Sequence, residues 1–520
     1  MVDLSRRTLL NGALGAGVLG VATADPAVAR TDRVHTPGLV TARPSLPSGW
    51  QSGDVTDGSA IIWSRSDRAG RLVVRIGSGT NMRTIRGPWA TPRTDFTAQV
   101  EVRGLAPGRE YDYRVHFEDL GGAAGEVGTG SLSTASGSAA ATSFVWTGDT
   151  AGQGWGINPD LGGMVGYRPM HELRPDFLIH SGDNIYADGP IAEKVIEPDG
   201  RVWRNIVTPQ VAKVAETLDE FRGRYRYNLL DDNIRAMYAA VPVISQWDDH
   251  ETTNNWYPGE ILTDDKYTEK RVDVLAARAR QAFFEYMPIS HRYRDRARGP
   301  QPRMYRSVKR GPHLDVFSLD MRTYRGRNTD GLEARRTAFL GEAQVEWLLR
   351  ELRASKATWK AIAADMPIGI IVPDGDTAIE AIANRDPGKP LGRELEIAYL
   401  LSQIKKRGIR NVVWFTADVH YCAAHYYDPG KAAFSDFDGF HEFVAGPISA
   451  GGFGPNDMDA TFGPQVRFQG LPTRVNQSPR DQKAMFFGYV QIDRAGEMTV
   501  SLRNGLGEVL HTTTLEPAGR

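Results

Sequence analysis

Cysteine is almost missing from this chain of 520 residues, which carries Cys422 alone. A single thiol excludes an internal disulfide. Net charge is nearly missing as well, because 62 basic residues face 63 acidic ones and leave −1 at pH 7. That balance removes any global electrostatic argument for nucleic acid or an anionic membrane, and no nucleic-acid-binding signature appears. Beyond the first 29 residues no run is long and apolar enough to span a bilayer. What remains is ordinary globular composition, 41% hydrophobic and 24% charged, so disorder does not dominate. The length predicts two or three domains with a large buried core.

The N-terminus has the features of an export signal. Arg6 and Arg7 stand in SRRTLL, residues 9–24 are uncharged and apolar, and Ala27-Val28-Ala29 forms a small-x-small cleavage site. Residues 1–29 are therefore expected to be a twin-arginine signal peptide, with the precursor engaging the twin-arginine export machinery. The mature chain, starting near Arg30, is expected to be secreted, periplasmic or at the cell surface, without stable membrane insertion. A protein without disulfides agrees with folding before export.

After a lead rich in Pro and Ser (residues 36–48), short apolar-polar runs alternate with turns over residues 50–134. SAIIWSR, RLVVRIG, FTAQVEVRGL and YDYRVHF predict strands of a small β-sandwich. GLAPGREYDYRV is similar to the turn and strand of a fibronectin type III domain. The small-residue segment 131–143 marks a boundary, giving a β-domain over 30–137 and a second domain over 138–520. There, strand-like and helix-like runs alternate, which is the α/β pattern. Helices are predicted over 218–241, 271–287 and 341–355, and strands over 314–320, 359–365 and 498–504.

Four clusters of Asp, His and Tyr each close a β-type run: FVWTGD ending at Asp149, DFLIHSGDNIY with Asp183 and Tyr186, VPVISQWDDHE with Asp248, Asp249 and His250, and VVWFTADVH with Asp418 and His420. Strand ends of an α/β sheet converge on one crevice, so the clusters predict one metal centre. Hard cations prefer oxygen ligands and accept imidazole, and a carboxylate can bridge two ions. Asp183 is the natural bridge. Two ions about 3.5–4 Å apart clamp the attacking and leaving oxygens of a phosphate, so phosphate ester hydrolysis by a metal-bound hydroxide is expected.

The motifs SGDNIY, WDDHETTNNW, SLDMRTYR, LGEAQVEWL and TADVHY together resemble the PhoD family of secreted alkaline phosphatases and phosphodiesterases, within the calcineurin-like metallophosphatases, and VTDGSAIIWSR resembles the family's N-terminal sandwich. The resemblance implies an α/β fold: a calcineurin-like metallophosphatase β-sandwich flanked by helices, preceded by a small all-β fibronectin/Ig-like domain. It implies a first site of Asp149, Asp183, Tyr186 and His420 holding Fe(III), and a second site of Asp249 and Asp418, joined by Asp365, holding Ca2+ or Zn2+. Asp248 as the ligand, with Asp249 behind it, is the alternative.

His250 is expected to face the substrate as a general acid. Arg322 is a candidate phosphate clamp, with a structural ion pair as the competing role. Asn254 and Asn255 are candidates for orienting His250 or capping a helix. Relatives often carry Cys where Asp149 stands, and Cys422 is not expected to replace that thiolate. The glycine-rich segment 445–454 is expected to be a flexible loop.

The substrate is expected to be a phosphate ester, phospholipids included. A secreted phospholipase D of the same type is the alternative enzyme, and a catalytically dead surface binding protein is the alternative outside enzymes. Residues 191–214 and 374–390 are inserted segments in which such a difference would reside.

Overall fold

A computed structural model of the chain describes residues 43–292 and 303–519. The predicted signal peptide lies outside the described residues. Among the described residues no helix is long and apolar enough to cross a membrane.

Two large sheets pack face to face. In the first, of nine strands, Thr142–Thr147, Phe177–Ser181 and Val243–Gln246 are parallel neighbours. In the second, of seven strands, Leu314–Ser318, Trp359–Ala363, Val412–Thr416 and Phe440–Val444 run parallel in that order. Side chains alternate across each strand. Phe144, Trp146 and Ile179 of one sheet therefore meet Val413, Phe415 and Phe443 of the other in a single buried core. Phe415 stands edge-on to Phe144 and Trp146, with ring centroids 5.2 and 4.9 Å apart. The indole N–H of Trp146 also donates to the Thr416 carbonyl at 3.2 Å, tying the sheets together near their carboxyl ends.

The outward faces carry helices. Leu218–Asn228, Asp232–Ala240 and Val272–Tyr286 pack on the first sheet against Val145, Leu178 and Val243. Glu342–Ala354 and Glu394–Lys406 cover the second against Phe317, Ile362 and Trp414. This is the helix-flanked β-sandwich that the resemblance implies. The single helix expected over 218–241 is two. Asp231 interrupts it, its carboxylate accepting from the N–H groups of Asn233 and Ile234 at 2.9 and 3.1 Å and so capping the second helix.

The N-terminal region is all-β as expected, but its two sheets are not both its own. Asn81–Ala90, Gly70–Ser78, Glu110–Glu118 and Gly128–Ser133 form a separate four-stranded sheet. Trp50–Gly53, Ser59–Arg65 and Thr97–Arg103 instead extend the nine-stranded sheet, with Gly53 in parallel register against Val243. Val74, Val115 and Phe117 pack against Ile62 and Val102 between them. The strand Asn81–Ala90 holds Gly87-Pro88, which an edge tolerates because no outer neighbour needs the missing N–H.

Candidate metal centre

The parallel strands all point their carboxyl ends at one crevice, and the acidic residues sit two or three positions past those ends. The chain must turn sharply there. Asp149, Asp183, Asp418 and His420 have φ of 65°, 51°, 66° and 61°, a left-handed backbone that costs roughly 1–3 kcal/mol at a non-glycine residue. Surrounding contacts hold it: the N–H of Thr150 donates to the Asp183 carbonyl at 2.9 Å, and that of Ser449 to the Asp149 carbonyl at 3.2 Å. Gly182 (φ 99°) lies so close to the third motif that a Cβ would stand 2.5 Å from that of Asp248.

Three sets of ligand atoms result, each within 4.8 Å of one another: Asp149, Asp183 and His420; Asp183, Asp249 and His250; Asp248, Asp249 and Asp418. Asp183 and Asp249 each belong to two sets, so the groups are contiguous. The Tyr186 hydroxyl lies 2.9 Å from His420 Nε2. His420 Nδ1 donates to the Gly451 carbonyl at 2.5 Å, which leaves Nε2 as the ring atom facing Asp149, 3.5 Å away.

Asp149 Oδ2, Asp248 Oδ2, Asp249 Oδ1 and Asp365 Oδ2 are buried without a hydrogen-bond donor. Buried carboxylate oxygens are rarely left so, and an oxygen-seeking cation is the partner such a donor set fits. Burial and then mutual repulsion push the carboxyls of Asp149, Asp183 and Asp418 well above the ordinary range. Asp365 is raised the same way, by burial and Asp248. Burial would raise Asp249 too, but His250 and Arg322 outweigh it and hold it low. Burial lowers His420 to about 4, keeping its ring neutral as a ligand must be. Tyr186 is raised by burial and then by Asp183 and Asp149.

His250 borders a cavity of about 470 Å³ together with Asp183, Asp249, Asp418 and His420. Its orienting partner is Asp188, a residue that the sequence reading passed over. Both Asp188 oxygens lie 2.8–2.9 Å from His250 Nδ1. Burial alone would depress the imidazole, yet Asp188 and Asp249 raise it to about 10. Asp188 stands two residues past Tyr186, but an acid in a loop carries no spacing signal of its own. Asn254 lines the cavity and gives its backbone N–H to Asp188 at 2.8 Å, rather than orienting the imidazole itself. Asn255 gives its N–H to Asp249 Oδ2 at 2.5 Å. Glu251 was also passed over. It accepts from Asn184 N at 2.6 Å and Asp248 N at 2.8 Å, fastening the second motif to the third.

Arg322 does not line the cavity. Its side chain is 0% exposed, with Nε 2.6 Å from Asp248 Oδ1, Nη1 against Glu380, and Asp365 3.9 Å away. The structural ion pair replaces the expected phosphate clamp, because buried carboxylates left without a cation would be far costlier. Asp365 joins this pair and belongs to none of the three ligand sets among the described residues. The segment 445–454 is a brace rather than a flexible loop. Ala445, Ile448 and Ala450 are buried, and the N–H groups of Ile448 and Phe453 donate to the carbonyls of Gly148 and His420. Cys422 is buried in the inter-sheet core, its thiol pushed up to about 12 by burial, and takes no part in the ligand sets.

Residues 144–502 match the family model of the PhoD-like phosphatases, and residues 32–136 match the PhoD-like phosphatase N-terminal domain. This chain belongs to the PhoD-like phosphatase family. Alkaline phosphatase D of Bacillus subtilis (strain 168) is 29% identical over 457 residues, which cover 80% of this chain and 72% of that protein. A solved structure of PhoD aligns with a TM-score of 0.67 at 20% identity, covering 91% of this chain and 89% of the other. Purple acid phosphatase PPD1 from yellow lupin (Lupinus luteus) aligns with a TM-score of 0.53 at 13% identity, covering 91% and 73%. At those identities the two structures speak for the fold. The family member described here is a phosphatase, a metal-dependent hydrolase of phosphate esters.

Proposed function

We propose that this phosphatase is an exported phosphoric ester hydrolase with a dinuclear-type metal centre, in which Asp183 is the bridging ligand. The observation that carries the reading is the sharing of Asp183 between two ligand sets in a cluster of unpartnered, buried carboxylate oxygens. Asp149, Tyr186 and His420 complete the first site, where a phenol beside imidazole and carboxylate suits Fe(III). Asp249 and Asp418 offer oxygen alone, which suits Ca2+, with Zn2+ as the alternative. Asp249 is the ligand in this reading, since its unpartnered oxygen belongs to a residue of the cavity wall, whereas Asp248 is engaged by Arg322. When bound, the cations supply an acidified water and neutralise charge on the phosphate.

The chain's own part is proton delivery. Asp188 holds His250 Nδ1, which leaves Nε2–H to donate to the leaving oxygen, and the raised pKa keeps that proton in place at neutral to alkaline pH. The twin arginines Arg6-Arg7 support export.

Elemental analysis of active protein, paired with hydrolysis of p-nitrophenyl phosphate and bis(p-nitrophenyl) phosphate before and after chelation, tests the reading. Two metal equivalents and chelator-sensitive turnover are expected; turnover unaffected by complete metal removal would sink it. A visible absorption band lost in Tyr186→Phe would tie the phenol to iron.

A further inference from the structure

Far from the metal ligands, the strand Arg306–Lys309 and the turn after it carry two buried arginines with unlike surroundings. Arg306 is met by Asp54, whose carboxylate accepts from Nε at 3.0 Å and from Nη2 at 2.9 Å. Arg310 is 4% exposed and forms no ion pair among the described residues. Its Nη1 and Nη2 donate to the carbonyls of Val55 and Ser133 at 2.8 and 3.5 Å, its guanidinium carbon stands 4.7 Å from the centre of the Phe177 ring, and its Nε is buried without an acceptor. Carbonyls satisfy N–H groups but leave a unit charge without a counter-charge, which is costly away from water.

Space is left beside it. Arg310 lines a cavity of about 300 Å³ where the N-terminal strands meet the amino ends of Thr142–Thr147, Phe177–Ser181 and Leu314–Ser318, the ends opposite the metal centre. Arg109, exposed and without an ion pair among the described residues, lines the same cavity. Ser136 and Ser138 present hydroxyls there 3.3 Å apart; one proton joins the pair and the other is left to donate. The acids on this wall do not answer Arg310. Asp176 acts on it only from beyond ion-pair distance and is committed to the Thr142 hydroxyl and the Ser143 N–H, both at 2.9 Å, while Glu110 is exposed. Burial lowers the Arg310 pKa to about 10 in spite of Asp176.

We propose that this cavity is a second anion site, which holds a small tetrahedral oxyanion between Arg310, Arg109 and the hydroxyls of Ser136 and Ser138, and that its occupant is inorganic phosphate, the anion that hydrolysis of a phosphate monoester releases. A guanidinium fork matches phosphate oxygens, and a hydroxyl donor completes their hydrogen bonding. Bound there, phosphate supplies the charge that Arg310 lacks and joins the N-terminal region, through Arg109 and Ser136, to the amino ends of both large sheets. Because the metal ligands sit at the other strand ends, occupancy of this site is separable from turnover.

The test is equilibrium dialysis of radiolabelled inorganic phosphate against the metal-loaded full chain, counting bound equivalents in wild type, R310M and R109E, with p-nitrophenyl phosphate turnover measured in each. Wild type is expected to bind one equivalent more than either variant, at unchanged turnover. R310M removes the buried charge together with a brace on Val55 and Ser133; R109E changes an exposed residue and sets a carboxylate at the cavity, so it decides the matter if R310M does not fold. The difference of one equivalent stands whether or not the metal centre also retains phosphate, so failure of the phosphoesterase reading would not imitate it. Equal counts in wild type and R109E overturn the proposal, and so do equal counts in wild type and a folded R310M.

Discussion

Around Asp149, Tyr186 and His420 the centre is held by neighbours in the backbone: strand ends in left-handed turns, a carbonyl of Gly451 on His420, and the buried 445–454 segment behind. Around Asp248, Asp249 and Asp418 it is held by charge. A fully buried Arg322 stands against Asp248 and Glu380, and Asn255 ties Asp249 to Asp374 of the inserted segment. The first half should therefore tolerate changes in distant charges, while the second should fail when a single buried ion is removed. Backbone geometry is set locally; a buried charge is stable only with all its partners present.

Four substitutions break or sharpen that contrast. Asp183→Asn acts on both halves, because Asp183 belongs to the first ligand set and to its neighbour. It should lose metal at both sites and lower turnover by more than the roughly 10–100-fold that loss of a supporting hydrogen bond costs. Full metal content on elemental analysis would remove it from the bridging role. His250→Ala should keep both ions but lower kcat by about 10²–10⁴-fold. An unchanged rate would place the acid elsewhere.

Arg322→Ala should separate the halves. It leaves Asp248 buried without its cation and Glu380 with Arg325 alone, 3.8 Å away, at a cost of about 3–5 kcal/mol measured by denaturant unfolding. Occupancy should fall at the second site before the first; equal loss at both would erase the contrast. Asp188→Asn should have the smallest effect. Asp188 raises the His250 pKa, and a general acid loses activity as pH rises through its pKa, so removing the charge should move the alkaline limb of the rate profile downward by roughly 1–3 units. A limb that stays in place would uncouple the pair.

Legibility in the sequence follows the same division. Asp149, Asp183, Asp249, Asp418 and His420 each close an apolar run, so both the strand and the residue at its tip are written in one short stretch. Asp188 and Glu380 matter because folding brings them to His250 and Arg322, 62 and 58 positions away respectively, and no periodicity announces such meetings. Arg322 was readable as a cation near the site, but its direction was not: SLDMRTYR is the same string whether the guanidinium faces a phosphate or three carboxylates. The split of 218–241 into two helices was written locally at Asp231, where capping outweighed a continuous apolar pattern.

By itself, then, the sequence determined the alternation of strands and helices and the acidic and imidazole residues that close the strands, because apolar periodicity and strand-end residues act over a few positions. Tertiary structure decided the rest: that the N-terminal strands extend the catalytic sheet, that Asp188 rather than Asn254 orients His250, and that Arg322 is sealed beneath the cavity with Glu380 left on its wall. The physical reason is the range of the interactions. Backbone preference and burial pattern are fixed by near neighbours, whereas the energy of a buried charge depends on every group that the fold gathers around it.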